Sequence, residues 1–442
     1  MRKYAQYKDS GISWIGDVPE HWDVVPFRSE FSLGKGLPIT KDNLINDEIN
    51  GVPVVSYGQI HSKENEGTVL KRNLLRFVES SWLDSNPQSL LRKNDIVFAD
   101  TSEDLDGCGN CVLNTETRKI FAGYHTIIAF TNKEENGPFF AYLFQSDIWR
   151  SQIRTRVNGV KVYSVTRAHL KHCKLLLPPL SEQKAIAEYL DKKTAQINEL
   201  VSAKQKQIEL LKEYKQSVIA NAVTGKLDER REKRKWKDSG ISWIGKIPEN
   251  WEKLPFCALF EQKSQCGYCD EELLSVYLDK GVIRFSDGGE KRANATSEDL
   301  SKYQLVDVGD FVLNNQQAWR GSVGVSFFRG IVSPAYVILK MSEKLDRNFA
   351  NYLLRDRSMV AMYCICSKGV GSIQRNLVWN KLKRMPVFIP PLSEQKEIVS
   401  YIEKKVSSID SQIASIENQI ANLNEYKQNL ISDVVTGKVK VC

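Results

Sequence analysis

Residues 8–16 read KDSGISWIG, and residues 237–245 read KDSGISWIG again. The copies lie 229 residues apart, and at that same offset Pro19, Glu20, Trp22, Pro26 and Phe27 return as Pro248, Glu249, Trp251, Pro255 and Phe256. Self-similarity at a fixed offset marks an internal duplication. A second identity, PPLSEQK at 178–184 and at 390–396, has an offset of 212, so the second copy is 17 residues shorter between its anchors. Between the anchors the copies diverge, apart from a shared strand suggested by NDIVF around Asp95 and Val97 and GDFVL around Asp310 and Val312. A solenoid repeats every 20–50 residues or so, far below this period. Two tandem domains fit better, as 442 residues exceed what one core usually organises.

Within each copy the texture changes once. Short apolar runs such as VPVVSY, DIVFA and TIIAF, and later ELLSVYL and SPAYVILK, alternate with turn residues and predict strand-rich mixed domains. After Pro178 and Pro179 no proline or glycine follows until Gly225, with Ser181 placed as N-cap and Glu182 at the positive end of a helix dipole. Apolar residues then recur at 4,3 spacing through Leu190, Thr194, Ile197, Val201, Lys204, Ile208, Leu211, Lys215, Val218 and Ala222. The second helix repeats the seam at Ile402, Val406, Ile409, Ile413, Ile416, Ile420, Leu423, Lys427, Leu430 and Val434. Such seams need a partner, and one chain supplies both. At about 1.5 Å per residue, the 43 residues 181–223 make a rod of about 65 Å.

The predicted fold class is therefore α/β (α+β): two globular domains separated by two long helices packed as an antiparallel coiled coil, with an internal pseudo-two-fold repeat. The boundaries drawn are 1–178 for the first domain, 179–226 for its helix, 227–237 for a linker, 238–390 for the second domain and 391–438 for its helix. The linker cations Arg230, Arg231, Lys233, Arg234, Lys235 and Lys237 are read as solvated.

Composition excludes several classes. With 42% hydrophobic and 26% charged residues and no apolar run near the roughly 18 needed to span a bilayer, the chain is no membrane protein. It lacks the apolar core of a secretory signal, which places it in the cytoplasm. A net charge of +8 permits a polyanionic partner without demanding one. Nine cysteines read as reduced and mostly buried; Cys108 with Cys111 and Cys266 with Cys269 have zinc-ribbon spacing, yet 154 residues separate the pairs and no histidine stands near them.

Catalytic signatures are missing as well. TGK at 224–226 and at 436–438 lacks the remainder of a phosphate loop. The five histidines, His21, His61, His125, His169 and His172, all lie in the first copy, so a duplicated histidine site is absent. The pairs Glu182/Lys184 and Glu394/Lys396 sit in the first turn of a helix, where capping explains them. Neither an Asn-Pro-Pro-aromatic tetrad nor a strand followed by G-x-G occurs. No metal site and no cofactor is expected on this chain.

A repeated W-I-G-x-x-P-E-x-W opening, a divergent domain, and PPLSEQK leading a long helix that ends in TGK together resemble the specificity subunits of type I restriction-modification systems over essentially the whole chain. That resemblance implies a non-catalytic DNA-binding subunit in which each target-recognition domain reads one half of a split duplex sequence. The helices would set the spacing and dock two methyltransferase (modification) subunits. S-adenosylmethionine, ATP and Mg would belong to those partners and to the translocating restriction (nuclease) subunits.

Base readout needs polar forks, and Asn315, Gln316, Gln317 and Arg320 in NNQQAWRG (314–321) suit adenine or guanine edges. The matching stretch 100–110 is acidic, with Glu103, Asp104 and Asp106, which could accept from cytosine. Arg154, Arg156, Lys161 and Arg167 in the first copy, and Lys368, Arg375, Lys381 and Lys383 in the second, are candidate phosphate contacts. For helix packing the candidates are Leu190, Ile197, Val201, Ile208, Leu211, Ile402, Ile409, Ile413, Ile416, Ile420 and Leu423. The competing reading is a coiled-coil scaffold with no DNA sequence preference.

Overall fold

The computed structural model describes residues 2–441 except 63, 66, 134–135, 160, 228–233, 279, 289–298 and 371–373. The chain divides into two compact units. One comprises Met1–Gln205 with Glu417–Cys442, the other Lys206–Ile416. The division differs from the boundaries read in the sequence, because each unit takes half of each long helix along with one globular domain. The linker is also shorter than drawn: strand Trp236–Asp238 already belongs to the second unit, while Arg230, Arg231 and Lys233 lie outside the described residues.

Both units build the same four-stranded antiparallel sheet from sequences that share almost nothing there. In the first unit the order is Phe31–Lys35, Thr126–Thr131, Ile96–Ala99, Cys111–Leu113; in the second it is Phe260–Lys263, Tyr336–Met341, Phe311–Asn314, Val323–Val325. The strand suggested by NDIVF and GDFVL is the shared third one. Its leading aspartate is buried in each unit and caps the preceding turn: Asp95 accepts from the Arg92 N–H at 2.7 Å and Asp310 from the Asp307 N–H at 2.8 Å. Burial raises the Asp95 pKa, although the N–H groups of Arg92 and Thr131 oppose it. The offset drops from 229 at the first sheet strand to 215 at this aspartate, so most of the missing length lies between them.

The repeated opening motif folds identically in both units, and nearly every residue of it has a local reason. Asp9 and Asp238 each accept from the N–H of the glycine two residues on, at 2.9 Å. Ser10 and Ser239 accept from the N–H of Ile12 and Ile241 at 3.2 and 3.1 Å. Ile15 and Ile244 are buried, and so are Trp22 and Trp251. The motif ends in a strand, Asp23–Pro26 or Glu252–Pro255, paired antiparallel with the strand leading into the long helix.

The long helices are Leu180–Val223 and Leu392–Val435. Each starts one residue before the predicted cap: Pro179, not Ser181, accepts the first N–H groups, from Glu182 at 2.9 Å and Gln183 at 3.0 Å. Glu182 has a larger task than offsetting the dipole. It accepts from the Trp22 indole at 2.9 Å, the Tyr4 hydroxyl at 3.0 Å and His21 Nε2 at 2.7 Å. Glu394 does the same in the second unit, accepting from the Trp251 indole at 3.3 Å, Asn250 at 3.0 Å and Arg234 at 2.5 Å.

The other end of each helix packs against an opening motif. Gly437, with φ +74°, packs under Pro19 and Trp22, where a Cβ would come within 2.3 Å of the proline; Gly225, with φ +77°, does so under Pro248 and Trp251 at 2.5 Å. Only glycine supplies both the left-handed turn and the room. TGK is thus a helix stop fitted to the opening motif. In the first unit this brings the chain ends together, with the Lys440 N–H donating to the Arg2 carbonyl at 2.9 Å.

The two helices run antiparallel within each unit. Leu190 and Ile197 share a core with Leu430, Ile431 and Val434, and Ala222 and Val223 share one with Ile398, Val399 and Ile402. Every predicted seam position is buried or half-buried: Ile208, Ile409 and Ile416 are buried, while Val201, Leu211, Ile413, Ile420 and Leu423 are half-buried. The lysines that interrupt the seam each find an acceptor on the opposite helix. Lys204 reaches Gln419 at 2.5 Å, Lys215 reaches Asp410 at 2.7 Å and Lys427 reaches Asn198 at 2.9 Å. These polar pairs fix the register where apolar layers alone would tolerate slippage.

Glu182→Ala should lower unfolding stability by about 1–3 kcal/mol, measured in urea, because it leaves the buried Trp22 N–H without its acceptor. Burial alone would raise the Glu182 pKa, but the bonds from His21, Trp22 and Tyr4 outweigh it and hold the carboxyl below its ordinary 4.5. A depressed folded value contributes stability that is present above pH 4.5 and is lost as pH falls through that folded value. Glu182→Gln should therefore flatten the stability profile in this acid range.

Candidate nucleic-acid interface

The shared third strand ends at the same place in both units, and the backbone there is clamped in the same way. Asp100 donates its N–H to the His125 carbonyl at 3.1 Å and accepts from the Val165 N–H at 2.8 Å. Asn315 donates to the Ala335 carbonyl at 3.3 Å and accepts from the Leu377 N–H at 3.2 Å. The segments that follow, 100–110 and 315–322, thus occupy equivalent positions on equivalent sheets. They share no side-chain chemistry.

In the second unit the sequence-predicted residues divide by role. The Asn315 side chain accepts from the Leu377 N–H at 3.1 Å, so it holds the loop against strand Gln374–Leu377. Gln317 precedes the short helix Ala318–Arg320, and its N–H is held by the Asn314 carbonyl at 3.0 Å. Gln316 and Arg320 are exposed. Trp319, which is not among the sequence-predicted residues, organises the loop: its indole donates to the Gln316 carbonyl at 3.0 Å, and the guanidinium groups of Arg320 and Arg375 lie 5.9 and 5.1 Å from its ring centre. Two predicted cations from distant segments meet on one aromatic face. Such an aromatic and guanidinium cluster suits both stacking and phosphate contact.

In the first unit the Arg154 side chain is engaged within the protein. Its guanidinium donates to the Asp106 carbonyl at 2.9 Å and pairs with Asp147 at 3.1 Å, with only 18% of its side chain exposed. It pins the acidic segment. Asp104 is engaged there too, accepting from the Gly107 N–H at 2.6 Å. Arg156, Lys161 and Arg167 are exposed, as are Lys368 and Lys381, while Lys383 is half-buried and its carbonyl accepts from Cys257. Two linker cations are structural as well: Arg234 bonds Glu394, and Lys237 donates to the carbonyls of Glu249 and Trp251 at 2.8 and 2.7 Å.

Two further features were not legible as a site. Between the helix pair and the globular domain each unit has an open groove: 610 Å³ in the first, lined by Arg150, Arg154 and Lys427, and 1060 Å³ in the second, lined by Lys215, Arg320, Arg355 and Arg357. On the first unit's sheet, His61, Asp100, Thr101 and His125 converge with Tyr57 and Tyr124. The rings of Tyr57 and His125 lie 5.4 Å apart, and those of Tyr57 and Tyr124 5.7 Å apart. Among the described residues no group of three or more His, Cys, Asp or Glu is placed to hold a metal ion. Cys108 and Cys111 are buried, and burial pushes the Cys111 thiol up to about 12. No helix among the described residues is long and apolar enough to cross a membrane.

Arg154→Ala should cost about 1 kcal/mol of stability, since the Asp106 carbonyl and the Asp147 carboxylate lose a charged donor. Lys161→Ala should stay within about 0.5 kcal/mol. Urea unfolding of the two variants separates the structural cation from the surface one.

Comparison with known proteins places these features. The family model of the type I restriction modification DNA specificity domain matches twice, over residues 19–210 and 248–425. The chain is 26% identical over 421 residues to the type I restriction enzyme EcoBI specificity subunit of Escherichia coli, covering 90% of this chain and 81% of that protein. It is 22% identical over 412 residues to the EcoKI specificity subunit of Escherichia coli strain K12, covering 88% and 83%. A solved chain from a study of assembly and conformational transition in the type I R-M system shares the fold, with a TM-score of 0.65 at 14% identity over 96% of this chain and 99% of that one.

Proposed function

The chain belongs to the type I restriction-modification DNA specificity family, and from that premise we propose that it selects the DNA target of a type I complex and has no catalytic site of its own. Each globular domain reads one half of a bipartite duplex sequence. The paired helices fix the distance between the halves. One observation carries this reading: the sheet, the opening motif and the helix ends are the same in both units, whereas the loops at equivalent sheet positions differ completely. One set is acidic and histidine-bearing; the other carries Gln316, Trp319, Arg320 and Arg375. A scaffold would have no use for a constant frame with unlike tips, while a reader of two different half-sites requires it.

The partners follow from the same reading. Two methyltransferase subunits dock on the repeated framework, one per unit, and bring S-adenosylmethionine; restriction subunits bring ATP and Mg. Support comes from Trp14 and Trp243. Their neighbours in the nine-residue repeat are mostly accounted for by folding, yet these indoles remain 41% and 46% exposed. An exposed tryptophan kept twice is the kind of residue that anchors a protein interface.

The direct test co-expresses the chain with its methyltransferase subunit and maps adenine methylation across a genome by single-molecule sequencing, against a strain lacking the chain. A split, asymmetric motif that disappears with the chain is the expected result. Methylation unchanged by its loss, in an active complex, would favour a scaffold. Inserting four residues into one long helix adds about 6 Å, close to two base-pair steps of about 3.4 Å, and should change the spacer without changing either half. Trp14→Ala and Trp243→Ala should each weaken one methyltransferase docking event by roughly tenfold or more, read as loss of one copy in native mass spectrometry.

A further inference from the structure

His125 is one of two non-glycine residues, among those described, in the left-handed backbone region, with φ +55°. It sits in the turn between strands Phe121–Ala122 and Thr126–Thr131. Two facts hold it there: its carbonyl accepts from Asp100, and its ring packs edge-on against Tyr57 and Tyr124 at 5.4 and 5.9 Å. In the neutral ring the tautomer follows from its neighbours. Nδ1 faces the Asp100 carboxylate at 3.2 Å, and an ionised carboxylate only accepts, so Nδ1 carries the hydrogen. The Thr101 hydroxyl donates to the same carboxylate oxygen at 2.6 Å. Nε2 is then an acceptor without a hydrogen-bond partner among the described residues, on a side chain 57% exposed.

His61 braces the cluster. Its Nδ1 receives the Asn110 amide at 2.9 Å, leaving Nε2–H to donate to the Thr101 carbonyl at 2.8 Å. Residues from three separate segments, 57–61, 100–110 and 124–125, thereby fix one outward acceptor face. Because Asp100 and Asn315 occupy the same clamped position, this face is the first unit's counterpart of the Trp319 loop in the second.

Resting on the reading of the chain as a two-half DNA reader, we propose that the first unit reads its half-site through the His125–Asp100 face, and that it selects a base bearing an exocyclic amino group, adenine or cytosine. An acceptor-only edge matches the N6 or N4 amino donor exposed in the major groove and mismatches the O6 and N7 acceptors of guanine. Of the acidic residues in 100–110, Asp104 is engaged in shaping its own loop, accepting from the Gly107 N–H.

The test uses the full chain in its complex with the methyltransferase subunit. Binding is titrated against duplexes in which each base pair of the first half-site is replaced in turn. For the unmodified chain, one adenine or cytosine position should cost roughly tenfold or more on replacement by guanine. In His125→Ala that single penalty should vanish while all others, including those of the second half-site, persist; His125→Arg should reverse the preference towards guanine. Thermal unfolding of both variants reports whether the fold survives, and because each variant is compared with itself across duplexes, a uniform loss of affinity leaves the pattern readable. His125→Ala that keeps every first-half penalty would overturn this assignment alone. An unmodified complex with no half-site penalties would overturn the two-half reading and this assignment with it.

Discussion

A carboxylate at the start of each long helix, taken up by a buried indole from the opening motif, is the contact on which the architecture turns. Glu182 with Trp22, and Glu394 with Trp251, join segments 160 and 143 residues apart in sequence. A glycine from the end of the opposite helix packs against the same indole from another side. One aromatic side chain thus ties together the beginning of a domain, the start of its own helix and the end of the other. The repeated sequences at 8–27, 178–184 and 436–438 in one unit, and at 237–256, 390–396 and 224–226 in the other, are the three faces of that joint, which explains why they stay alike while the domain between them changes freely.

The helix pair depends on that joint for its ends and on its own polar layers for its register. Lys204, Lys215 and Lys427 cost the seam apolar area, yet each bonds an acceptor on the opposite helix, a geometry that a register slip would break. A frame fixed at its ends and in its register leaves the surface that each sheet carries free to differ. Specificity then becomes a matter of what each sheet carries at its tips: in one unit aromatic rings with histidine and aspartate, in the other a tryptophan flanked by two guanidinium groups.

Much of this was legible in the sequence. The duplication, the seams and the shared strand at Asp95 and Asp310 follow from offsets and periodicity, which record local geometry, and the antiparallel pairing follows from two seams in one chain with a domain between them. The roles of Glu182 and Glu394 did not, since a first-turn glutamate looks like a dipole partner until its distant donors are seen. Arg154 and Arg234 read as phosphate-binding or solvated cations because nothing in their neighbourhood announces the carbonyl or carboxylate they serve. His125 is one of five histidines confined to the first copy, which the sequence marks only as an unduplicated set, and its use as a rigid acceptor depends on a left-handed turn and on Asp100, 25 residues away. Contacts between residues far apart in sequence decide which polar side chains are structural and which face outward.

Each unit is complete only when the end of one long helix meets the opening motif of the other copy. Circular permutation tests it most directly: residue 442 is joined to residue 1, and new ends are opened within 228–233. The expected permutant has the same far-UV circular dichroism, a melting temperature within a few degrees and an unchanged methylation motif in complex with its methyltransferase subunit. A permutant that fails to fold, or that folds but methylates a different pair of half-sites, would contradict it.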